Sequence, residues 1–206
     1  MTSETGRFQK TTVLSAPLER VWRAFSDARE FGRWFGAEFS GPFEPGARLS
    51  GTIVPTQVDP EVAKLQEPHA GARFEVIVER VEPMRLLSFR WHPFAIDVSK
   101  DYSSEPMTLV EFELAAAPEG TSVTVTESGF DTIPIERRAQ AFEANEGGWT
   151  HQLVLVGKHL AAPPVGRNFI SASDSVGRNF SSAPEEPEDF AAMFEASIKS
   201  NKAKRF

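Results

Sequence analysis

The chain of 206 residues contains no cysteine and only one tyrosine. The lack of cysteine excludes disulfides, thiolate metal sites and cysteine nucleophiles. No stretch approaches the ~18 consecutive apolar residues of a membrane span, and the first seven residues lack the apolar segment of a secretory signal. We therefore expect a cytoplasmic protein without a membrane span.

Positive charge is also scarce, because 22 basic residues stand against 29 acidic ones and the net charge is −7. An acidic domain without a basic patch is a poor candidate for binding nucleic acid or an anionic membrane. Aromatic residues are abundant by contrast, with 17 Phe and 4 Trp. The chain is therefore expected to be globular, and its length favours one domain with an extension.

The N-terminal region reads as one strand and two short helices. Residues 7–14 have the β-branched content of a strand, and Pro17 suits the first turn of a helix. Asp27 to Glu30 has the form of a capping box, which predicts the start of a second helix. Apolar residues recur at helical spacing in both segments: Leu18, Val21, Trp22 and Phe25, then Phe31, Trp34 and Phe35.

About six further strands follow. Alternating residues mark three of them, at 73–81, 107–116 and 122–127. This alternation predicts an antiparallel sheet with one buried face. Glu82 to Arg85 predicts a hairpin turn into a strand at 86–91. Residues 55–71 hold three prolines and no sustained period, so we expect a long loop there, either a lid or an insertion.

The segment from Ile133 to Ala162 is predicted to form one long amphipathic helix. Its apolar stripe contains one carboxylate and runs through Phe142, Glu146, Trp149, Leu153, Val156 and Leu160. Gly147 and Gly148 are unfavourable in a helix, which we interpret as a close approach of this helix to the sheet. A curved sheet wrapped around this helix would bury most of the apolar surface, and Glu146 is expected to face inward.

Several motifs resemble those of a known family. They are Ala16 to Phe25 with Phe31 to Trp34, Glu82 to Trp91, Thr126 to Phe130, and Gly148-Trp149. On these residues the chain resembles the START-like (SRPBCC, Bet v 1-like) superfamily, in the branch named after the activator of the Hsp90 ATPase, homologue 1-like. The resemblance covers residues 7–162.

The resemblance implies an α+β helix-grip fold, with six to seven antiparallel strands around the C-terminal helix and a mostly apolar cavity between them. Members of the superfamily bind lipids, sterols and polyketides, and a minority catalyse cyclisation or hydrolysis. The branch carries no invariant catalytic set, so no catalytic residue is predicted. The eukaryotic co-chaperone that names the branch has a separate N-terminal domain for the chaperone contact, and we expect this protein to be without such a domain.

We expect a hydrophobic small molecule to lie in that cavity, with the protein acting as a carrier or sensor. The residues expected to bind it are Trp34, Phe74, Val76, Phe89, Trp91, Phe112, Glu146, Trp149 and Leu153. Two alternatives remain. One is a cavity enzyme of the polyketide cyclase or hydrolase kind, with His92 or His151 as general base. The other is a co-chaperone or adaptor recruited through the C-terminal tail.

No cofactor or metal site is predicted, since His69, His92, His151 and His159 lack the spacing of a zinc site. The tail is expected to lie apart from the domain. Residues 163–188 form a Ser-rich linker in which Val165 to Phe169 recurs eleven residues later. Residues 189–206 are amphipathic and are expected to dock on the domain or on a protein partner.

Overall fold

The structure, a computed structural model, describes residues 6–95 and 100–162. These residues form a seven-stranded antiparallel sheet and four α-helices. The elements are β1 (Arg7–Leu14), α1 (Leu18–Ser26), α2 (Ala28–Phe35), β2 (Ala37–Phe39), β3 (Arg48–Ile53), α3 (Pro60–Gln66), β4 (Arg73–Glu82), β5 (Leu86–Trp91), β6 (Thr108–Ala117), β7 (Gly120–Ser128) and α4 (Ile135–Ala161). Short 3-10 turns at Glu67–His69 and Phe130–Thr132 complete the order.

The strands lie in the order β1-β7-β6-β5-β4-β3-β2, and every neighbouring pair is antiparallel. α4 packs on the sheet, and α1 and α2 follow β1. This arrangement confirms the predicted α+β helix-grip fold. Within the described residues, no helix is both long and apolar enough to cross a membrane. The tail from residue 163 onward, with the predicted linker and amphipathic segment, lies outside the described residues.

The predicted cap at Asp27 is confirmed. Its side chain accepts hydrogen bonds from two backbone N–H groups in the first turn of α2, at 2.9 and 3.0 Å. Glu30 binds Arg20 and Arg23 of α1 at 2.7 Å each, and lies 3.3 Å from His159 of α4. This carboxylate therefore links three helices at the end of the domain where α4 terminates.

The expectation of a loop throughout 55–71 is wrong, because α3 lies within it. Asp59 caps this helix by accepting from two backbone N–H groups, and Pro60 occupies the first turn. No residue of α3 is buried. Its seven residues place only Val62 and Leu65 at helical spacing as larger apolar side chains, too short a pattern for hydrophobic periodicity to reveal the helix.

α4 matches the predicted long helix within two residues at each end. Its buried face includes Ala141, Asn145, Trp149, Leu153 and Val156. A Cβ atom added at Gly148 would meet no atom within 4 Å, so the interpretation of a close contact at this glycine is wrong. Asn145, a polar residue on this buried face, was not singled out in the sequence analysis.

Candidate functional site

Glu127 lies on β7, on the face of the sheet that α4 covers. Val123, Val125 and Glu127 alternate along the strand, so their side chains share this face. The first two are fully buried, as the core of the sheet requires, and Glu127 is also 0% exposed. A carboxyl group in such a position must find hydrogen-bond donors, because water does not reach it.

Four uncharged groups donate to Glu127. Oε1 accepts from Trp91 Nε1 at 2.8 Å, from Thr108 Oγ1 at 2.6 Å and from Asn145 Nδ2 at 2.9 Å. Oε2 accepts from Trp149 Nε1 at 2.7 Å. The donors come from β5, β6 and α4, so the carboxyl group connects both walls of the domain interior.

Burial raises the pKa of Glu127, because desolvation penalises the charged form, while the hydrogen bonds from Thr108, Trp91, Trp149 and Asn145 act against this shift. Indole and amide N–H groups only donate, so four donors suit the ionised carboxylate. Among the described ion pairs none involves Glu127. A separate ion pair joins Lys10 of β1 to Glu146 of α4, at 2.9 Å.

Aromatic rings surround this carboxylate and fill the space between the sheet and α4. The ring of Trp149 lies 5.2 Å from that of Phe112, 5.7 Å from that of Trp91 and 5.9 Å from that of Phe35, measured between centroids. Phe74 lies 6.4 Å from Trp91 and 6.5 Å from Phe35. Contacts at these distances add roughly 0.5–1.5 kcal/mol per pair beyond the area they bury. We call these five rings the aromatic cluster.

A cleft of about 510 Å³ lies beside the aromatic cluster. It is formed by β3, β4 and the residues on either side of the gap between Ala95 and Lys100. Phe74, Ile77 and Met107 supply much of its apolar lining. Phe74 belongs to this lining, and its ring packs in the aromatic cluster. Alternation along β3 and β4 places Arg48, Glu75 and Ile77 of the lining on the opposite face of the sheet from the cluster.

The charged residues that line the cleft are largely paired. Arg48 binds Glu75 at 2.5 Å, and Glu105 binds both Lys100 and Arg137 at 2.6 Å. Arg137, in the first turns of α4, also donates to the carbonyl of Pro93 at 3.0 Å. These contacts tie the segment after β5 to α4. Burial lowers the pKa of His92 at the cleft wall, which favours its neutral form.

Eight of the nine residues predicted to bind the ligand lie on the inner surface of the domain. Trp34, Val76, Phe89, Phe112, Trp149 and Leu153 are buried, whereas Phe74 and Trp91 are partly buried. Their assignment to ligand binding stays a prediction. The ninth residue, Glu146, does not face inward. Its side chain is 40% exposed and pairs with Lys10, since it lies one position beyond the buried face of α4.

The histidines occupy separate places. His92 lies at the cleft, the ring of His151 contacts the Gly147 carbonyl at 2.9 Å, and His159 lies beside Glu30. In the part of the chain that the structure describes, no three metal-ligating side chains come together.

Glu127 is the functional candidate that the sequence analysis missed. It was quoted within the motif Thr126 to Phe130, and Val123 and Val125 were already placed on one face. Continuing that alternation by two residues would have placed Glu127 inward. A buried carboxylate at a sheet position is the kind of anomaly that marks a functional site.

The family model for Activator of Hsp90 ATPase homolog 1-like protein matches residues 15–156. The chain belongs to this family. The matched region contains Glu127, its four donors and the whole aromatic cluster of this AHSA1-like protein. Members of the family commonly bind hydrophobic ligands. No curated protein sequence matches the chain.

Solved structures of SRPBCC-type proteins are similar to this AHSA1-like protein. Protein MLL2253 from Mesorhizobium loti is 21% identical with a TM-score of 0.55, covering 75% of this chain and 96% of that chain. A protein from Arthrobacter aurescens is 20% identical with a TM-score of 0.58, covering 78% and 88%. CalU16 from Micromonospora echinospora is 16% identical with a TM-score of 0.52, covering 98% and 92%. These similarities establish the shared fold.

Proposed function

We propose that this protein binds a hydrophobic small molecule, of lipid, sterol or polyketide type, and acts as its carrier or sensor. The molecule lies between the sheet and α4, against the aromatic cluster. The observation that carries the proposal is this cluster, in which Phe74 contacts Trp91 and Phe35 on the inner face of the sheet. A ligand resting on this ring gains aromatic contact continuous with the aromatic cluster.

The residues around the aromatic cluster favour an apolar ligand. Small-molecule sites are lined mainly by apolar and aromatic side chains with few polar groups. The buried carboxylate beside the cluster, Glu127, accepts only from uncharged donors. Binding energy must then come from apolar burial, at roughly 25 cal/mol per Å².

The chemistry around Glu127 supports binding rather than catalysis. A general acid or base must reach the proton it transfers. Glu127 is 0% exposed and already accepts four hydrogen bonds, so it holds the two walls together. The aromatic cluster therefore serves as an apolar binding surface that contains one fixed polar group, the carboxylate of Glu127.

The proposal is tested with N-phenyl-1-naphthylamine, an uncharged apolar fluorophore. We expect saturable binding to the full chain, and about tenfold weaker binding to Phe74→Ala, because a central aromatic contact is lost. Phe142→Ala is the matched control. Phe142 is also partly buried and packs on Phe8 and Phe130, in a separate aromatic group.

Native mass spectrometry of the purified chain, followed by organic extraction, identifies whatever apolar molecule copurifies. Recovery of an apolar ligand from wild type, with less recovered from Phe74→Ala, would support the proposal. If Phe74→Ala and Phe142→Ala weaken fluorophore binding equally, the weaker binding comes from a loss of fold stability alone. That result, together with an empty extract, would refute the proposal.

A further inference from the structure

The two outer strands of the sheet, β2 and β1, differ in how their free edges are protected. β2 has only three residues, and its outer edge lies against α2, since a Cβ atom at Gly32 would lie 2.0 Å from the carbonyl oxygen of Ala37. β1 has eight residues and pairs with β7 in one unbroken register. Among the described residues, no strand pairs with its other side. A long, regular free edge is a template for pairing with another strand.

The backbone of β1 offers hydrogen bonds on that free side. The N–H of Gly129 donates to the carbonyl of Gly6, so Gly6 and the even-numbered residues of β1 direct their backbone groups toward β7. The odd-numbered residues direct theirs away from the sheet. They are all exposed, and their backbone groups have no partner in the part of the chain that the structure describes: Arg7, Gln9, Thr11 and Val13.

The side chains along this edge carry little net charge. The inner face of β1 has one charged side chain, Lys10, and it is paired with Glu146 of α4. On the outer face Gln9, Thr11 and Val13 are uncharged, and Val13 is 48% exposed. The acidic excess of the chain is therefore not concentrated at this edge, and an identical strand meets no opposing charge along most of it.

α4 runs beside β1 without covering its free edge. Glu146 contacts Lys10, and a Cβ atom at Gly157 would lie 3.7 Å from the side chain of Leu14. Thr150 and Val154 lie on the same side of the helix, and both are exposed, Val154 by 53%. These short side chains leave room beside the edge and add apolar surface to it.

We propose that β1 pairs with β1 of a second copy of this chain, antiparallel across a two-fold axis, and joins the two sheets into one. An axis perpendicular to the sheet presents the same edge of both copies and keeps both α4 helices on one face. This dimer goes beyond the proposed function and does not depend on it.

Charge selects the register of the pairing. With Thr11 on the axis, Gln9 lies opposite the partner's Val13, and Lys10 lies opposite the partner's Thr12. No like charges meet, and the odd-numbered residues form about six backbone hydrogen bonds, two for each hydrogen-bonded pair. A register centred on Lys10 would instead place the two Lys10 side chains opposite each other, which is destabilising.

Amide hydrogen exchange of the full chain, followed by NMR at low and high protein concentration, tests the pairing directly. At low concentration the amides of Gln9, Thr11 and Val13 are expected to exchange fast, whereas those of Lys10 and Thr12 are protected by β7. At high concentration the three fast amides are expected to slow about tenfold, with little change at the other two. Sedimentation velocity over the same concentrations is expected to show a dimer forming.

Val13→Lys and Ala115→Lys form a matched pair of variants. Both positions are exposed on the outer face, and both pair with Ser122 of β7, but only Val13 lies on the free edge. Val13→Lys is expected to weaken the dimer about tenfold, because a charged side chain on an edge strand opposes pairing. Ala115→Lys is expected to leave it unchanged. Gln9→Pro removes an outward N–H and keeps the ladder with β7, so it should also weaken the dimer.

A chain that stays monomeric at every concentration would overturn the inference and leave the edge of β1 open to an extended peptide of another protein. A dimer in which the amides of Gln9, Thr11 and Val13 still exchange fast would place the interface elsewhere and overturn it as well. Equal weakening by Val13→Lys and Ala115→Lys would contradict edge pairing too, because the effect would then come from the added charge alone.

Discussion

Trp149 of α4 donates its indole N–H to Oε2 of Glu127 on β7 over 2.7 Å, with both side chains buried. The other three donors of Glu127 all bind Oε1. The hydrogen bond from Trp149 is therefore the one described for Oε2, and it joins α4 to the sheet.

Trp149→Phe should destabilise the fold by about 1–3 kcal/mol, because it keeps a ring in place but leaves Oε2 without that donor. Urea denaturation measures the loss. Trp22→Phe on α1 is the control, since Trp22 is 9% exposed and its indole does not bind Glu127. Equal losses in the two variants would show that ring volume, and not the hydrogen bond, dominates.

The raised pKa of Glu127 predicts a pH dependence of stability. Below the ordinary value of 4.5 the carboxyl group is protonated in both folded and unfolded chains. As pH rises through the folded pKa, the unfolded chain releases this proton more readily, so the contribution of Glu127 to stability falls. Above the folded pKa the contribution is constant.

Glu127→Gln removes this titration. The free energy of unfolding of wild type minus that of the variant should therefore decrease as pH rises from about 4.5, and then level off. Groups with lowered pKa, such as Glu30 and Glu105, titrate in both proteins and cancel in the difference. A difference that stays flat from pH 4 to pH 9 would contradict the raised pKa.

Glu146→Gln should change stability by less than about 1 kcal/mol, because its ion pair with Lys10 is partly exposed to solvent. Thermal unfolding at low and high salt measures the effect, and the small difference from wild type should shrink further as salt screens the pair. A loss of several kcal/mol would mean that this carboxylate is buried after all.

Asp59→Ala should destabilise α3 by about 1 kcal/mol, because Asp59 caps the helix. The same carboxylate binds Lys158 of α4 at 2.6 Å. Asp59→Asn keeps the capping oxygen and removes the charge, so it separates the two roles. Hydrogen exchange at residues 61–66 should accelerate in the alanine variant and much less in the asparagine variant. Equal acceleration would assign the effect to the ion pair.

Several elements could be predicted from local patterns. Strand alternation, the Asp27 cap and the apolar stripe of α4 each depend on residues near one another in sequence, and the structure confirms them. α3 escaped detection because it has only seven residues, so its apolar side chains do not recur over a window long enough to show the helical period on which the prediction relied.

The polar centre of the site was harder to predict. Glu146 and Asn145 are neighbours on α4, and a rotation of about 100° between successive residues separates the surface pair with Lys10 from the interior contact with Glu127. The apolar stripe of α4, read from the sequence, can accommodate either Asn145 or Glu146, so it does not show which of the two side chains faces the sheet.

By itself, the sequence determined the order of the strands and of α1, α2 and α4, and the inward face of most strands, because those properties follow from the period of apolar residues. Its motifs indicated the family. Only the tertiary structure decided that Glu127, and not Glu146, is the buried carboxylate. Its donors Trp91, Thr108, Asn145 and Trp149 lie up to 36 residues away along the chain. They meet because β5, β6, β7 and α4 pack together, and a desolvated carboxylate requires donors from whichever elements surround it.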